Sequence, residues 1–106
     1  MGAMQAAHPR RYVIVAGTGQ ERARLHLERE PPEGYQRVMV LHVATARQHL
    51  SGLPVHGYEL TEDAWGHAEA VRVADLLRYL SALGNLRQPA PHTGGTALPP
   101  KRRRTA

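Results

Sequence analysis

Apolar and polar positions divide the chain into short blocks of two periodicities. Tyr12-Val13-Ile14-Val15-Ala16 is a β-branched run that ends in Gly17-Thr18-Gly19, and a run of this kind predicts a strand buried on both faces. Thr18 followed by Glu21 has the spacing of a capping box. It predicts a helix over about 19–29, with Ala23 and Leu27 on one face, joined by the aliphatic part of His26. Pro31-Pro32 ends that helix and Glu33-Gly34 turns the chain. The densest apolar stretch, Val38-Met39-Val40-Leu41 with His42 and Val43 behind it, predicts a strand over 37–44. Its density makes it the expected middle strand of the sheet. Strand, helix and strand together form a βαβ unit.

The second half continues in smaller pieces. Thr45 and Gln48 repeat the capping-box spacing, so 46–50 is expected to be a short helix, ended by Ser51-Gly52 and barred from continuing by Pro54. Over 55–60, His56, Tyr58 and Leu60 alternate with Gly57 and Glu59, the pattern of a half-exposed edge strand. Residues 61–66 read as a loop or one helical turn. A long helix is expected over 67–83, with Ala70, Val73, Ala74, Leu77 and Leu80 on its apolar face. Glu69 with Arg72 and Asp75 with Arg78 make i,i+3 pairs on that helix, and Gly84-Asn85 has the character of a C-terminal stop. The fold expected is a small α/β domain: a three-stranded, mostly parallel sheet with packed helices, a Rossmann-like half. A ferredoxin-like or irregular α+β arrangement is the alternative.

Composition changes this picture mainly at the ends. Phenylalanine is absent and Trp65 is the only tryptophan, so aliphatic side chains carry the packing. Residues 1–9 read as a flexible arm, with Met1-Gly2-Ala3-Met4 resembling an expression scar, 10–84 as the single domain, and 85–106 as a disordered Pro/Gly-rich tail. Between Arg10 and Gly84 basic and acidic residues balance at nine each. The net charge of +5 therefore comes from Arg87, Lys101, Arg102, Arg103 and Arg104, which moves any polyanion argument onto the tail. With no cysteine, thiol chemistry and disulfides are excluded. No apolar run is long enough to span a membrane, and a cytoplasmic location is expected.

The candidate chemistry follows from these placements. Gly17, Thr18 and Gly19 stand between a strand and a helix, the context in which backbone N–H groups hold an anion. Arg22, however, stands where a dinucleotide fingerprint needs glycine, and the Gly-Lys-Ser/Thr of a P-loop is missing. In a parallel sheet Thr18, Thr45 and Thr61 would share the rim past the strands' carboxyl ends, with Arg47 in reach. That set suits a phosphate or a nucleotide; plain turn geometry and capping account for it equally. The seven histidines lack metal-ligand spacing, so neither metal nor cofactor is expected. Neither serine sits in a nucleophile elbow, and the balance is against an enzyme. Lys101, Arg102, Arg103 and Arg104 can neutralise a few phosphates without base-stacking aromatics beside them. Trp65 is a candidate anchor for a partner protein, and Tyr58 marks an edge suited to a homodimer contact.

The strand and turn at 13–18, the helix bearing Arg22 and Arg24, the strand at 40–45 and Leu50-Ser51-Gly52-Leu53 together resemble a group of small Rossmann-like α/β proteins of actinobacteria and their phages. Ser51 stands where that group places an arginine. The resemblance spans about 11–83 and carries no established activity. The function expected is accordingly a non-enzymatic accessory or protein-interaction protein, phage-derived by that resemblance, whose basic tail touches nucleic acid weakly. The alternative is a small nucleotide- or phosphate-binding protein using the glycine turn.

Overall fold

A computed structural model describes residues 9–88. Residues 1–8 of the expected arm and the tail from residue 89, including Lys101, Arg102, Arg103 and Arg104, lie outside the described residues. The elements run β1 (Arg11–Ala16), α1 (Gly19–Glu28), β2 (Arg37–His42), α2 (Ala46–Leu50), β3 (Gly57–Leu60), α3 (Glu62–Trp65) and α4 (Ala70–Arg87). The three strands form one sheet of order β2-β1-β3, and both pairings are parallel, with Ile14 level with Val40 on one side and Glu59 on the other. This is the α/β sheet that the alternating blocks predict, in the order with which flavodoxin-like doubly wound sheets begin.

The middle strand is β1, not the 37–44 strand whose apolar density argued for the centre. Val13, Ile14, Val15 and Ala16 are all fully buried, whereas β2 becomes buried only at Val40 and Leu41. Both strands have helices on their faces, so both read as apolar runs, and density alone does not separate centre from edge. Alternation along β1 splits the interior. Val13 and Val15 join Leu41, Leu50, Val55, Val73 and Leu77 in the larger core under α2, α3 and α4. Ile14 and Ala16 meet Val40 and Leu25 in a small core under α1 alone.

Helix α1 turns a different face inward from the one its Ala23 and Leu27 spacing predicts. Leu25 is buried and Leu27 is 85% exposed. The inward row is Glu21, Leu25, Arg29, at steps of four residues, and its two charged members find partners. Glu21 caps the preceding turn. Arg29, just past the helix, reaches Glu59 at 3.3 Å. Glu59 also accepts from the Tyr12 hydroxyl at 2.9 Å. Burial, reinforced by the Glu59 charge, holds the Tyr12 phenol well above its ordinary pKa. This polar cluster closes the part of the small face that α1 does not reach.

Helix α4 starts and ends three to four residues later than its sequence signals indicate. Its inward positions Ala70, Val73 and Leu77 are buried as the periodicity requires, with Ala74 and Leu80 partly so. Both expected surface pairs form, Arg72 with Glu69 at 3.9 Å and Arg78 with Asp75 at 3.5 Å. Gly84 is no stop; it lies inside the helix, where the Val55 carbonyl packs directly on it and a Cβ would overlap that oxygen. The helix then runs on to Arg87, where the Arg10 guanidinium caps its end by donating to the Gln88 carbonyl at 2.8 Å, a cation at the negative pole of the helix.

Candidate functional site

The rim past the strands' carboxyl ends is where open α/β sheets bind ligands, and for this strand order the crevice lies between β1 and β3. Thr18 is the N-cap of α1, and its Oγ1 accepts from the Glu21 N–H at 3.0 Å. The Glu21 carboxylate turns back, as the capping box requires, but one residue further than expected. Its Oε1 accepts from the Gly17 N–H at 2.7 Å, and from the Thr61 hydroxyl at 2.8 Å. Thr61 in turn caps α3, its Oγ1 accepting from the Ala64 N–H at 3.1 Å. One carboxylate thus ties the ends of β1 and β3 to the starts of α1 and α3.

Two consequences follow for the glycine turn. A negative charge already sits at the positive end of α1, which is the place a phosphate would occupy. The space above Gly17 is also filled: a Cβ at that position would overlap the backbone of Asp63, so α3 lies on the turn itself. Gly17 is required by close packing against a neighbouring helix. Gly17, Thr18 and Thr61 are brought together, around Glu21 and not around an open space.

Thr45 and Arg47 are engaged elsewhere. Thr45 caps α2 without a side-chain bond to the helix, contrary to the spacing with Gln48; its hydroxyl lies 3.5 Å from the His42 carbonyl. Arg47 pairs with Glu69 at 3.2 Å, linking α2 to the residue before α4. Ala44, Arg47, Gln48 and Glu69 border a shallow depression of about 490 Å³ in which the cation is already matched by a carboxylate. Among the described residues no three His, Asp or Glu side chains converge in a metal-holding group. None of the described helices is long and apolar enough to cross a membrane.

The expected contact residues differ in their surroundings. Trp65 ends α3 and is 53% exposed. Tyr58 is partly buried against the larger core, and that burial raises its phenol pKa. A longer apolar surface lies on α4, where Val71, Tyr79 and Leu86 are all exposed. At 100° per residue these three fall within one narrow arc of the helix, on the side away from the core. The sequence hides this stripe because the inward face of the same helix is apolar too.

The opposite end of the sheet was not singled out by any motif. Arg10, buried, donates from its backbone to Gln36 and from its guanidinium to the Gln88 carbonyl and Asn85 Oδ1, each near 2.8–2.9 Å. It also lies 5.3 Å from the Tyr35 ring centre. His56, likewise buried, accepts from the Arg11 N–H at Nδ1 at 3.0 Å, which places its proton on Nε2 when neutral. Burial first, then the Arg10 and Arg11 cations, lower its pKa. The only sequence signal here is a pair of adjacent arginines at the start of a strand, which carries no spacing to read.

Comparison with known protein families, curated proteins and solved structures finds no match to this chain.

Proposed function

We propose that this chain is a non-enzymatic interaction protein whose folded part pairs with a second copy through the outer face of α4. The observation that carries the reading is the stripe of Val71, Tyr79 and Leu86, 64%, 62% and 78% exposed on one side of an 18-residue helix. The crevice that would serve small-molecule chemistry is meanwhile occupied by Glu21 and covered by α3. An antiparallel two-fold pairing of α4 brings Val71 level with Leu86 of the second copy and Tyr79 level with Arg78. That suits an isologous contact and a guanidinium against a ring. Asp75 of each copy then comes within one turn of the other's Arg78, so the charges within the stripe are complementary.

A cytoplasmic setting, kinship with the actinobacterial and phage group, and weak nucleic-acid contact through Lys101, Arg102, Arg103 and Arg104 belong to the same proposal. The tail reading is supported by four consecutive cations with no acid beside them.

Sedimentation velocity on the full chain tests the pairing. The expected result is a species of twice the 11.7 kDa chain mass that dissociates on dilution. Tyr79→Asp weakens it about tenfold or more, with circular dichroism unchanged because the inward face of α4 is untouched. A monomer at every concentration up to about 1 mM, or a dimer indifferent to Tyr79→Asp, overturns it.

A further inference from the structure

At the amino ends of the strands an open cleft of about 860 Å³ lies between the start of β1, the loop before β3 and the last turns of α4. Three arginines border it, Arg11, Arg37 and Arg87, and no Asp or Glu does. Its apolar wall is made by Leu53, Leu80 and Leu83. The buried His56 lies at the same cleft, its ring held by the Arg11 N–H and by Gln88.

The distribution of ion pairs sets this place apart. Arg24, Arg29, Arg47, Arg72 and Arg78 each face a carboxylate within 4 Å. Among the described residues Arg10, Arg11, Arg22, Arg37 and Arg87 do not, and three of those five converge on one cleft. Arg10 stands close behind it, its guanidinium bound to Asn85 and the Gln88 carbonyl. Like charges gathered without a counter-charge raise the local potential and favour an anion from solution. The chain on either side of residues 9–88 holds no Asp or Glu, so it offers these cations no acidic side chain.

We infer that this cleft is a binding site for a small organic anion: a carboxylate or phosphate head carried on an apolar body. Arg37, at the start of β2, and Arg87, at the end of α4, both border the cleft, and planar guanidinium groups match either head group with paired N–H donors. Leu53, Leu80 and Leu83 take the apolar body, which is the ordinary division of labour in a ligand cleft. The site shares no residue with the α4 stripe: Leu80 lies about 100° or more around the helix from Val71, Tyr79 and Leu86, while Leu83 borders the stripe on the cleft side.

Amide NMR on the full chain tests this with four probes: octanoate, phenyl phosphate, inorganic phosphate and neutral octanamide. The expected result is saturable shifts at Leu53, His56, Leu83 and Gly84 with octanoate or phenyl phosphate, the tighter of the two identifying the head group. Octanamide and inorganic phosphate bind about tenfold more weakly or worse, each lacking one half of the recognition. The double variant Arg37→Gln, Arg87→Gln loses about tenfold in affinity for the better probe, and both residues are exposed enough for the fold to survive. The inference is overturned if neither organic anion shifts these amides at about 10 mM, or if the double variant binds unchanged. Equal binding of octanamide would reduce the site to an apolar groove. Equal binding of inorganic phosphate would remove the role of the leucines. Shifts centred on Gly17 and Thr18 instead would return the site to the glycine turn.

Discussion

At the carboxyl end of the strands, the positive poles of α1 and α3 meet a carboxylate supplied by the chain itself: Glu21, bonded to Gly17 and Thr61. At the amino end the negative pole of α4 meets a cation, Arg10, bonded to the Gln88 carbonyl and Asn85. Each end answers a helix pole with the opposite charge. They differ in what is left over. The carboxyl end engages the Glu21 carboxylate with Gly17 and Thr61 and is sealed by the backbone of Asp63 over Gly17. The amino end has Arg11, Arg37 and Arg87 beyond what α4 requires, and it stays open. A fold that conventionally binds at one end can therefore close that end with its own residues and leave the other available.

The largest effects expected are steric, and they occur once at each end. Alanine inside a helix is ordinarily about 1 kcal/mol better than glycine. Gly84→Ala is expected to lower stability by about 2–3 kcal/mol instead, because its Cβ meets the Val55 carbonyl, and Gly17→Ala by a similar amount against Asp63. Urea denaturation reads both. A neutral or stabilising Gly84→Ala would mean that α4 does not press on the loop before β3, and the amino-end cleft would lose its floor.

Charge changes come next and separate the ends. Arg10→Met removes the cap of α4, and is expected to lose about 2 kcal/mol together with amide-exchange protection at Asn85 and Gln88. Glu21→Gln keeps an acceptor for Gly17 and Thr61 without the charge, and is expected to lose about 1 kcal/mol. It should also let inorganic phosphate perturb the Gly17 and Thr18 amides where the native chain shows nothing. If the native chain already responds there, Glu21 is not the anion that fills the turn.

The smallest effect is in pH. The folded state holds His56 below its ordinary pKa of 6.5. Between that depressed value and 6.5 the unfolded chain binds more protons than the folded one, so stability falls as pH is lowered through this window. Above 6.5 both states are neutral and the contribution is flat. Thermal denaturation of the native chain against His56→Gln, between pH 7 and 5, should show a shallower acid slope in the variant. Equal slopes would place the acid sensitivity elsewhere.

Local signals were enough for the elements themselves. Runs of β-branched residues, Thr18 with Glu21, and Pro31-Pro32 act within a few residues of chain. They marked three strands, the first helix and most of the last one, and hence an α/β sheet. Strand order was not local: β1 is central because chain on both sides pairs with it, a fact that no count of apolar residues in β2 records. The same reason explains Leu25 and Gly84. Which face α1 turns inward depends on Ile14, Val40 and Glu59. A glycine that looks like a stop lies inside the helix, and it is tied to that position by Val55, which leaves no room for a Cβ. The sites divide in the same way. Gly17 and Thr18 were visible as a turn, but whether that turn is open depended on Thr61 and Asp63, over forty residues on. Arg11, Arg37 and Arg87 have no shared spacing at all, and only the folding of three distant segments to one end of the sheet makes them a site.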